Sequence, residues 1–305
     1  MRDPEPKLKP DRVSRTSQES SLAALKAFFV RHERITVLSG AGCSTQSGIP
    51  DYRDDAGNWK HRKPVQLAEF VSSADTRRRY WAQSFAGWDR LATAKPSSAH
   101  LALATLERAK RIDCLVTQNV DNLHRLAGSR NVVDLHGVLH RIRCLGCRST
   151  ILRREFQARL ARLNPGWIAT VRNVAPDGDA RLATCDFRAF SVPDCEFCGG
   201  TLKPDVVFFG EAVPADRVAT ARDSVVRSDA LLIVGSSLMV FSGFRFARMA
   251  KTLGKPIGIV NRGTTRADDL AACKVSDDCG TVLSGVAGFF TKDLNKNARR
   301  LGGNL

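Results

Sequence analysis

From residue 22 to residue 30 apolar side chains recur at helical spacing, and the chain then passes into the run RITVLS (34–39), a pattern that predicts a helix followed by a buried strand. Four more short, β-branched or aliphatic runs share that character: residues 114–117, 132–135, 230–234 (ALLIV) and 256–260 (PIGIV). Helical patterns separate several of them. Strands alternating with helices predict an α/β fold, a Rossmann-like parallel sheet with helices on both faces.

Two stretches break the alternation. Residues 51–98 are polar and helical, with Tyr80, Trp81, Phe85 and Trp88 among many arginines. Residues 139–203 are irregular and include the turn-rich APDGD at 175–179. The second stretch also holds two C-x-x-C pairs, a spacing that suits Zn²⁺, and both stretches are expected to be insertions that together build a smaller, zinc-binding and helical domain against the sheet. The expected organisation is a flexible tail over 1–21, a catalytic domain over 22–290 and a C-terminal tail over 291–305. Within the catalytic domain the large part takes 22–50, 99–138 and 204–290, and the small part takes 51–98 and 139–203.

Composition narrows the class. With 43% hydrophobic and 26% charged residues in 305, the chain has ordinary globular usage. No apolar run approaches the roughly 20 residues needed to cross a bilayer, and the first twenty residues mix acids, bases and prolines without the apolar stretch of a secretory signal. The expected location is cytoplasmic, or the mitochondrial matrix in a eukaryote, with no membrane partner. The balance of 47 Lys+Arg against 31 Asp+Glu gives +16. That charge suits a solvated basic surface, and by itself does not make nucleic acid the expected partner.

Chemistry concentrates where strands end. GAGCSTQSGIPDYR (40–53) follows the first strand directly. Gly40 and Gly42 allow a pyrophosphate to approach the backbone and offer it peptide N–H groups, although Thr45 fills the third glycine position of the usual fingerprint. TQNVDNLH (117–124) ends the second strand and projects Gln118, Asn119 and Asp121 to the edge where open parallel sheets bind ligands. VVDLHG (132–137) puts His136 at the tip of the third, where an imidazole can take a proton from a ribose hydroxyl or a water. Gly235, Ser236 and Ser237 follow ALLIV, and Asn261, Arg262 and Gly263 follow PIGIV; small residues and an amide at adjacent strand ends suit an adenosine and its ribose. KPDVVFFGE (203–211) reads as an extended apolar segment, either one more core strand or an edge for strand addition.

The nine cysteines include two C-x-x-C pairs, Cys144 with Cys147 and Cys195 with Cys198. Four thiolates fill the tetrahedral shell of one Zn²⁺ and leave no position for substrate, so the metal is expected to be structural. Cys43, Cys114, Cys185, Cys273 and Cys279 are expected to be unpaired.

In their order along the chain, these motifs resemble the sirtuin family, and the resemblance covers residues 22–286. RRRYWAQSFAGW (77–88), LNPGW (163–167), APDGD (175–179) and VVFFGE (206–211) are most similar to the class II branch containing the fourth mammalian sirtuin. The resemblance implies an NAD-dependent protein lysine deacylase or deacetylase. NAD is consumed as co-substrate: the acyl oxygen of a modified lysine attacks the nicotinamide ribose, nicotinamide leaves, and His136 then frees a ribose hydroxyl to attack the acyl carbon. It implies His136 and Asn119 as catalytic residues and an NAD site of Gly40, Ala41, Gly42, Asp51, Tyr52, Arg53, Gln118, Asn119, Asp121, Gly235, Ser236, Ser237, Asn261, Arg262, Gly263 and Cys279. Tyr52 stands where the family more often has Phe. An acyl-lysine peptide would bind in part by strand addition near Val206, Val207, Phe208, Phe209, Gly210 and Glu211. Members that favour acidic acyl groups carry a Tyr-x-x-Arg pair at positions that align with Ser84 and Gly87, which disfavours strict desuccinylation, though Arg77, Arg78 and Arg79 lie nearby. The alternative on the same fold is protein ADP-ribosylation; a more distant one is a basic zinc-module protein that binds nucleic acid.

Overall fold

The computed structural model describes residues 11–60, 64–167, 169, 171–174, 180–182 and 187–302; the APDGD stretch and Cys185 lie outside the described residues. In chain order the elements are α1 (Asp11–Arg31), β1 (Ile35–Ser39), α2 (Leu67–Ser72), α3 (Ala74–Ala92), α4 (Ser98–Arg108), β2 (Ile112–Thr117), α5 (Leu123–Leu126), β3 (Val132–Asp134), β4 (Gly137–Cys144), β5 (Thr150–Leu152) and α6 (Arg153–Leu163). They continue with β6 (Val171–Val174), β7 (Ala180–Leu182), β8 (Leu202–Val206), α7 (Ala215–Arg227), β9 (Ala230–Val234), α8 (Phe241–Thr252), β10 (Ile257–Val260), β11 (Cys273–Val275) and α9 (Cys279–Gly302). The helix α1 runs across the boundary expected at residue 22, and α9 runs across the one expected at 291.

Six strands form one sheet in the order β11-β10-β9-β1-β2-β3, and all its pairs are parallel. Successive side chains of a strand face opposite sides, and the runs were unbroken because both sides are buried. Ile35 and Val37 of β1, with Ala230, Leu232 and Val234 of β9, pack under α1, α4 and α9 alongside Leu25, Phe29, Leu103 and Leu283. Leu38, Leu231 and Ile233 point the other way, toward Val225 of α7 and Phe246 and Ala250 of α8.

The two insertions share a separate core. Phe70, Tyr80, Trp81 and Trp88 from the helical insertion meet Ile142, Phe156, Leu160, Phe190 and Phe208. A three-stranded antiparallel sheet, β5-β4-β8, and the hairpin β6–β7 frame it. The strand inside KPDVVFFGE therefore belongs to this small sheet, paired with β4, and not to the parallel core. Beyond β8 the segment turns: Glu211 N–H donates to Phe208 O (3.0 Å) with Gly210 at φ +79°, while Phe209 makes an isolated parallel bridge with Gln66.

From β1 the sheet grows one way through β2 and β3 and the other way through β9, β10 and β11. That reversal opens a crevice beyond the carboxyl ends of β1 and β9, the position at which doubly wound sheets take ligands.

Candidate active site

A cleft of about 570 Å³ occupies the crevice and extends between the sheet and the small module. Its floor is a junction of glycines. Gly40 N–H donates to Val234 O (3.0 Å) and Gly42 N–H to Gly235 O (2.8 Å). A Cβ on Gly42 would lie 2.8 Å from Gly235 Cα, and one on Gly235, whose φ is +60°, would lie 2.6 Å from Cys43 N. The ends of β1 and β9 thus touch backbone to backbone. This corrects the expected use of Gly40 and Gly42 as peptide donors for a pyrophosphate: both N–H groups are spent on β9, and the glycines serve close packing.

The polar wall comes from the loop after β2. Asn119 Nδ2 donates to Gly40 O and to Ser44 Oγ, both at 3.0 Å, which fixes the amide plane. Ser44 in turn donates to Asp121 Oδ2 (2.6 Å), and Asp121 Oδ1 accepts from Leu123 N–H (2.9 Å). Asp121 is buried, and burial raises its carboxyl pKa above the usual range while these two donors oppose the rise. Gln118 Nε2 donates to Ser236 Oγ (2.8 Å), tying the β2 loop to the β9 loop.

His136 stands at the end of β3, partly buried in the cleft wall. Its Nδ1 is 3.0 Å from Gln118 O. A carbonyl only accepts, so Nδ1 carries the proton and Nε2 presents its lone pair. Nε2 lies 2.7 Å from Ser242 Oγ. Burial, with Arg217 and Arg245 adding to it, pushes the imidazole pKa down to about 4, against 6.5 for a free side chain. The ring is neutral at physiological pH, which is the state a base requires.

Residues 51–60 form a flap that holds itself together. Arg53 donates to Gly57 O (2.7 Å) and stacks 4.1 Å over the Trp59 ring; Lys60 pairs with Asp51 (2.8 Å). Thr264 N–H donates to Asp55 O (3.0 Å), which pins the flap to the chain beyond β10. Opposite the flap, Val207 N–H donates to His136 O (2.8 Å), and Phe209 O accepts from Leu67 N–H (2.9 Å). Buried Lys203 pairs with Glu211 (3.0 Å), whose carboxylate also accepts from Phe208 N–H (2.8 Å).

The cleft gathers Gly40, Ala41, Gly42, Asp51, Tyr52, Arg53, Gln118, Asn119, Asp121, His136, residues 206–211, Gly235, Ser236, Ser237, Asn261 and Gly263. Two expected NAD contacts do not line it. Arg262 is exposed and pairs with Asp278 (3.1 Å), and Cys279 is buried at the start of α9 with its thiol on Val260 O. Of the nearby arginines, Arg77 donates to Phe70 O and Val71 O, Arg78 pairs with Asp75, and none of the three, Arg79 included, lines the cleft.

Away from the cleft, the sulfurs of Cys144, Cys147, Cys195 and Cys198 lie within 4.8 Å of one another. Cys144 and Cys198 are 3.5 Å apart and Cys147 and Cys195 3.7 Å. Sulfurs around a tetrahedral Zn²⁺ at ~2.3 Å stand about 3.8 Å apart, so the cluster fits that ion. Gly200 gives the thiolates room, since a Cβ there would sit 3.0 Å from Cys144 Sγ and 3.1 Å from Cys198 Sγ.

Residues 40–242 match the model of the Sir2 family. The chain belongs to that family. A relative from Bradyrhizobium diazoefficiens, NAD-dependent protein deacetylase 2, is 56% identical over 261 residues, covering 86% of this chain and 96% of the relative. NAD-dependent protein deacylase Sirt4 of Drosophila melanogaster is 47% identical over 268 residues, covering 87% and 86%, and agrees with the branch that the motifs resemble. A solved Sir2–p53 peptide–NAD+ structure superposes with a TM-score of 0.67 at 28% identity over 90% of this chain and 97% of that one. In this Sir2 family member Ser84, at one of the two positions of the acid-selective pair, is buried, and its backbone oxygen accepts from Arg153 (3.3 Å). Sequence reasoning missed Ser44, Trp59, Ser242 and Arg245, all of which line the cleft. Ser44 sits inside the glycine motif, but its carboxylate partner is 77 residues away. Ser242 reads as an ordinary residue of a helix start, and nothing local signals His136.

Proposed function

We propose that this chain is an NAD-dependent protein lysine deacylase that acts in the cytoplasm, with His136 as general base. One observation carries the reading: His136 is held as the neutral tautomer with Nε2 as its acceptor nitrogen, 2.7 Å from Ser242 Oγ, in a cleft bounded on one side by the glycine junction and on the other by residues 206–211. The names of the relatives and the NAD and peptide in the superposed Sir2 structure support the same assignment.

In this reading NAD lies across the glycine junction, with its adenosine half toward Ser237, Asn261 and Gly263 and its nicotinamide ribose toward Asn119 and His136. The acyl-lysine enters between the flap and residues 206–211. The acyl oxygen attacks the anomeric carbon of that ribose and nicotinamide leaves. His136 then accepts a ribose hydroxyl proton, so that the ribose oxygen attacks the acyl carbon. The lysine amine leaves with a proton, and a water adds to the cyclic acyl cation held between the two ribose oxygens, giving acyl-ADP-ribose. Zn²⁺ at the four cysteines braces the small module and takes no part in these steps. Incubation with NAD and a panel of acyl-lysine peptides tests the proposal: nicotinamide release must require an acyl peptide and must yield acyl-ADP-ribose.

A further inference from the structure

His136 is gripped from both sides of its ring. Gln118 O accepts from Nδ1, and Ser242 Oγ lies 2.7 Å from Nε2. Ser242 stands in the first turn of α8, two residues after the N-cap Val240, with its hydroxyl turned to the imidazole. The next residue locks this register. A Cβ on Gly243 would lie 2.3 Å from Gln118 Oε1, so glycine lets the start of α8 seat against the same Gln118, whose carbonyl holds Nδ1, without displacing its side chain. His136, Gln118, Gly243 and Ser242 therefore close a ring of contacts around the base.

We infer that Ser242 is a positioning residue for His136, holding the ring in line with the ribose and serving both protonation states of the base. A hydroxyl both donates and accepts. In the free protein, with His136 neutral, it donates to the Nε2 lone pair; it yields that lone pair to the ribose hydroxyl during transfer and, once Nε2 carries the proton and the ribose oxygen has moved to the acyl carbon, accepts from Nε2–H. Gln118 O is satisfied in both states, so no buried polar group is orphaned when the proton arrives. A backbone amide at that place could serve only the neutral state, and a carbonyl only the charged one.

The inference rests on the deacylase reading, and the test separates the two. Release of nicotinamide precedes the base step, so its reversal, exchange of labelled nicotinamide into NAD in the presence of acyl peptide, does not need His136 to accept a proton. Ser242→Ala is expected to lower deacylation kcat by about 10²-fold, the scale of losses from a displaced reacting group. Exchange and the KM for NAD should stay within about 2-fold. Ser242→Thr, which keeps the hydroxyl, should restore most of the turnover. In parallel, the ¹⁵N resonance of His136 Nε2 in the free protein should shift in the alanine variant and return in the threonine variant. Unchanged kcat and an unchanged Nε2 resonance in Ser242→Ala would overturn the inference, as would exchange falling in step with kcat. If the wild type releases nicotinamide without acyl peptide, the deacylase reading fails, and the resonance then decides the Ser242–His136 contact alone.

Discussion

Gly235→Ala tests the backbone contact on which the cleft floor depends. Two penalties add. The residue holds φ +60°, where a Cβ costs about 1–2 kcal/mol. The new methyl would also lie 2.6 Å from Cys43 N and 2.8 Å from Gly42 C, atoms of a backbone that cannot rotate away; overpacking of this kind costs about 1–3 kcal/mol. Gly254→Ala is the control, because Gly254 has φ +67° but nothing within 4 Å of its would-be Cβ. The control should lose only the conformational part. At ~2–4 °C per kcal/mol for a chain of this size class, Tm should fall by a few degrees in Gly254→Ala and by about 5–15 °C in Gly235→Ala. If the variant relieves the clash by parting Gly42 from residue 235, NAD binding weakens as well: each ~1.4 kcal/mol carried into that displacement is tenfold in Kd. Thermal melts and calorimetric titration with NAD read the two effects. Equal Tm losses for the two variants, with unchanged NAD affinity in Gly235→Ala, would refute the close-packing argument.

Other consequences follow from the same geometry. His136→Ala should lower turnover by about 10²–10⁴-fold, the usual worth of a general base. The wild-type acid limb of kcat/KM should lie near pH 4, since activity is lost only as pH falls through the depressed pKa; a limb near 6.5 would contradict the buried base. Stability sets a floor to that profile. His100 and His124 are buried, and burial holds the first down to about 4 and the second well below 6.5. The unfolded chain therefore binds more protons, and chemical denaturation should show stability falling as pH drops below 6.5 toward 4. Zinc removal by a chelator, or Cys195→Ala, should unfold or aggregate the protein, as judged by near-UV circular dichroism and light scattering, because the ion closes the small module. A soluble, active, zinc-free variant would count against that role.

The sequence made the interior of the parallel sheet legible because strands buried on both faces are written as unbroken apolar runs. The run at residues 230–234 has the bounds of β9, and the expected and observed bounds of β10 differ by one residue. The edge strand β11 was not visible: it has only three residues, of which Val275 alone is buried while Cys273 is half-buried and Lys274 exposed. The first half of α1 was read as tail because DRVSRTSQESS has no apolar stripe. Motifs at strand ends revealed which residues meet, since a parallel sheet brings all its carboxyl ends to one edge. They did not reveal how the residues meet. The N–H groups of Gly40 and Gly42 turn to β9, Arg262 turns to Asp278, and the hydroxyl of Ser242 turns to a histidine 106 residues away. Each of those directions is set by tertiary contacts that no local spacing encodes.

The central claim is that this cleft joins NAD cleavage to an acyl-lysine. Mass spectrometry of the products, with NAD and matched acylated and unacylated peptides, addresses it most directly. The account predicts nicotinamide, free lysine peptide and acyl-ADP-ribose in equal amounts, only from the acylated peptide and lost in His136→Ala. Nicotinamide released at the same rate with the unacylated peptide, with ADP-ribose appearing on protein and no acyl-ADP-ribose, would contradict it.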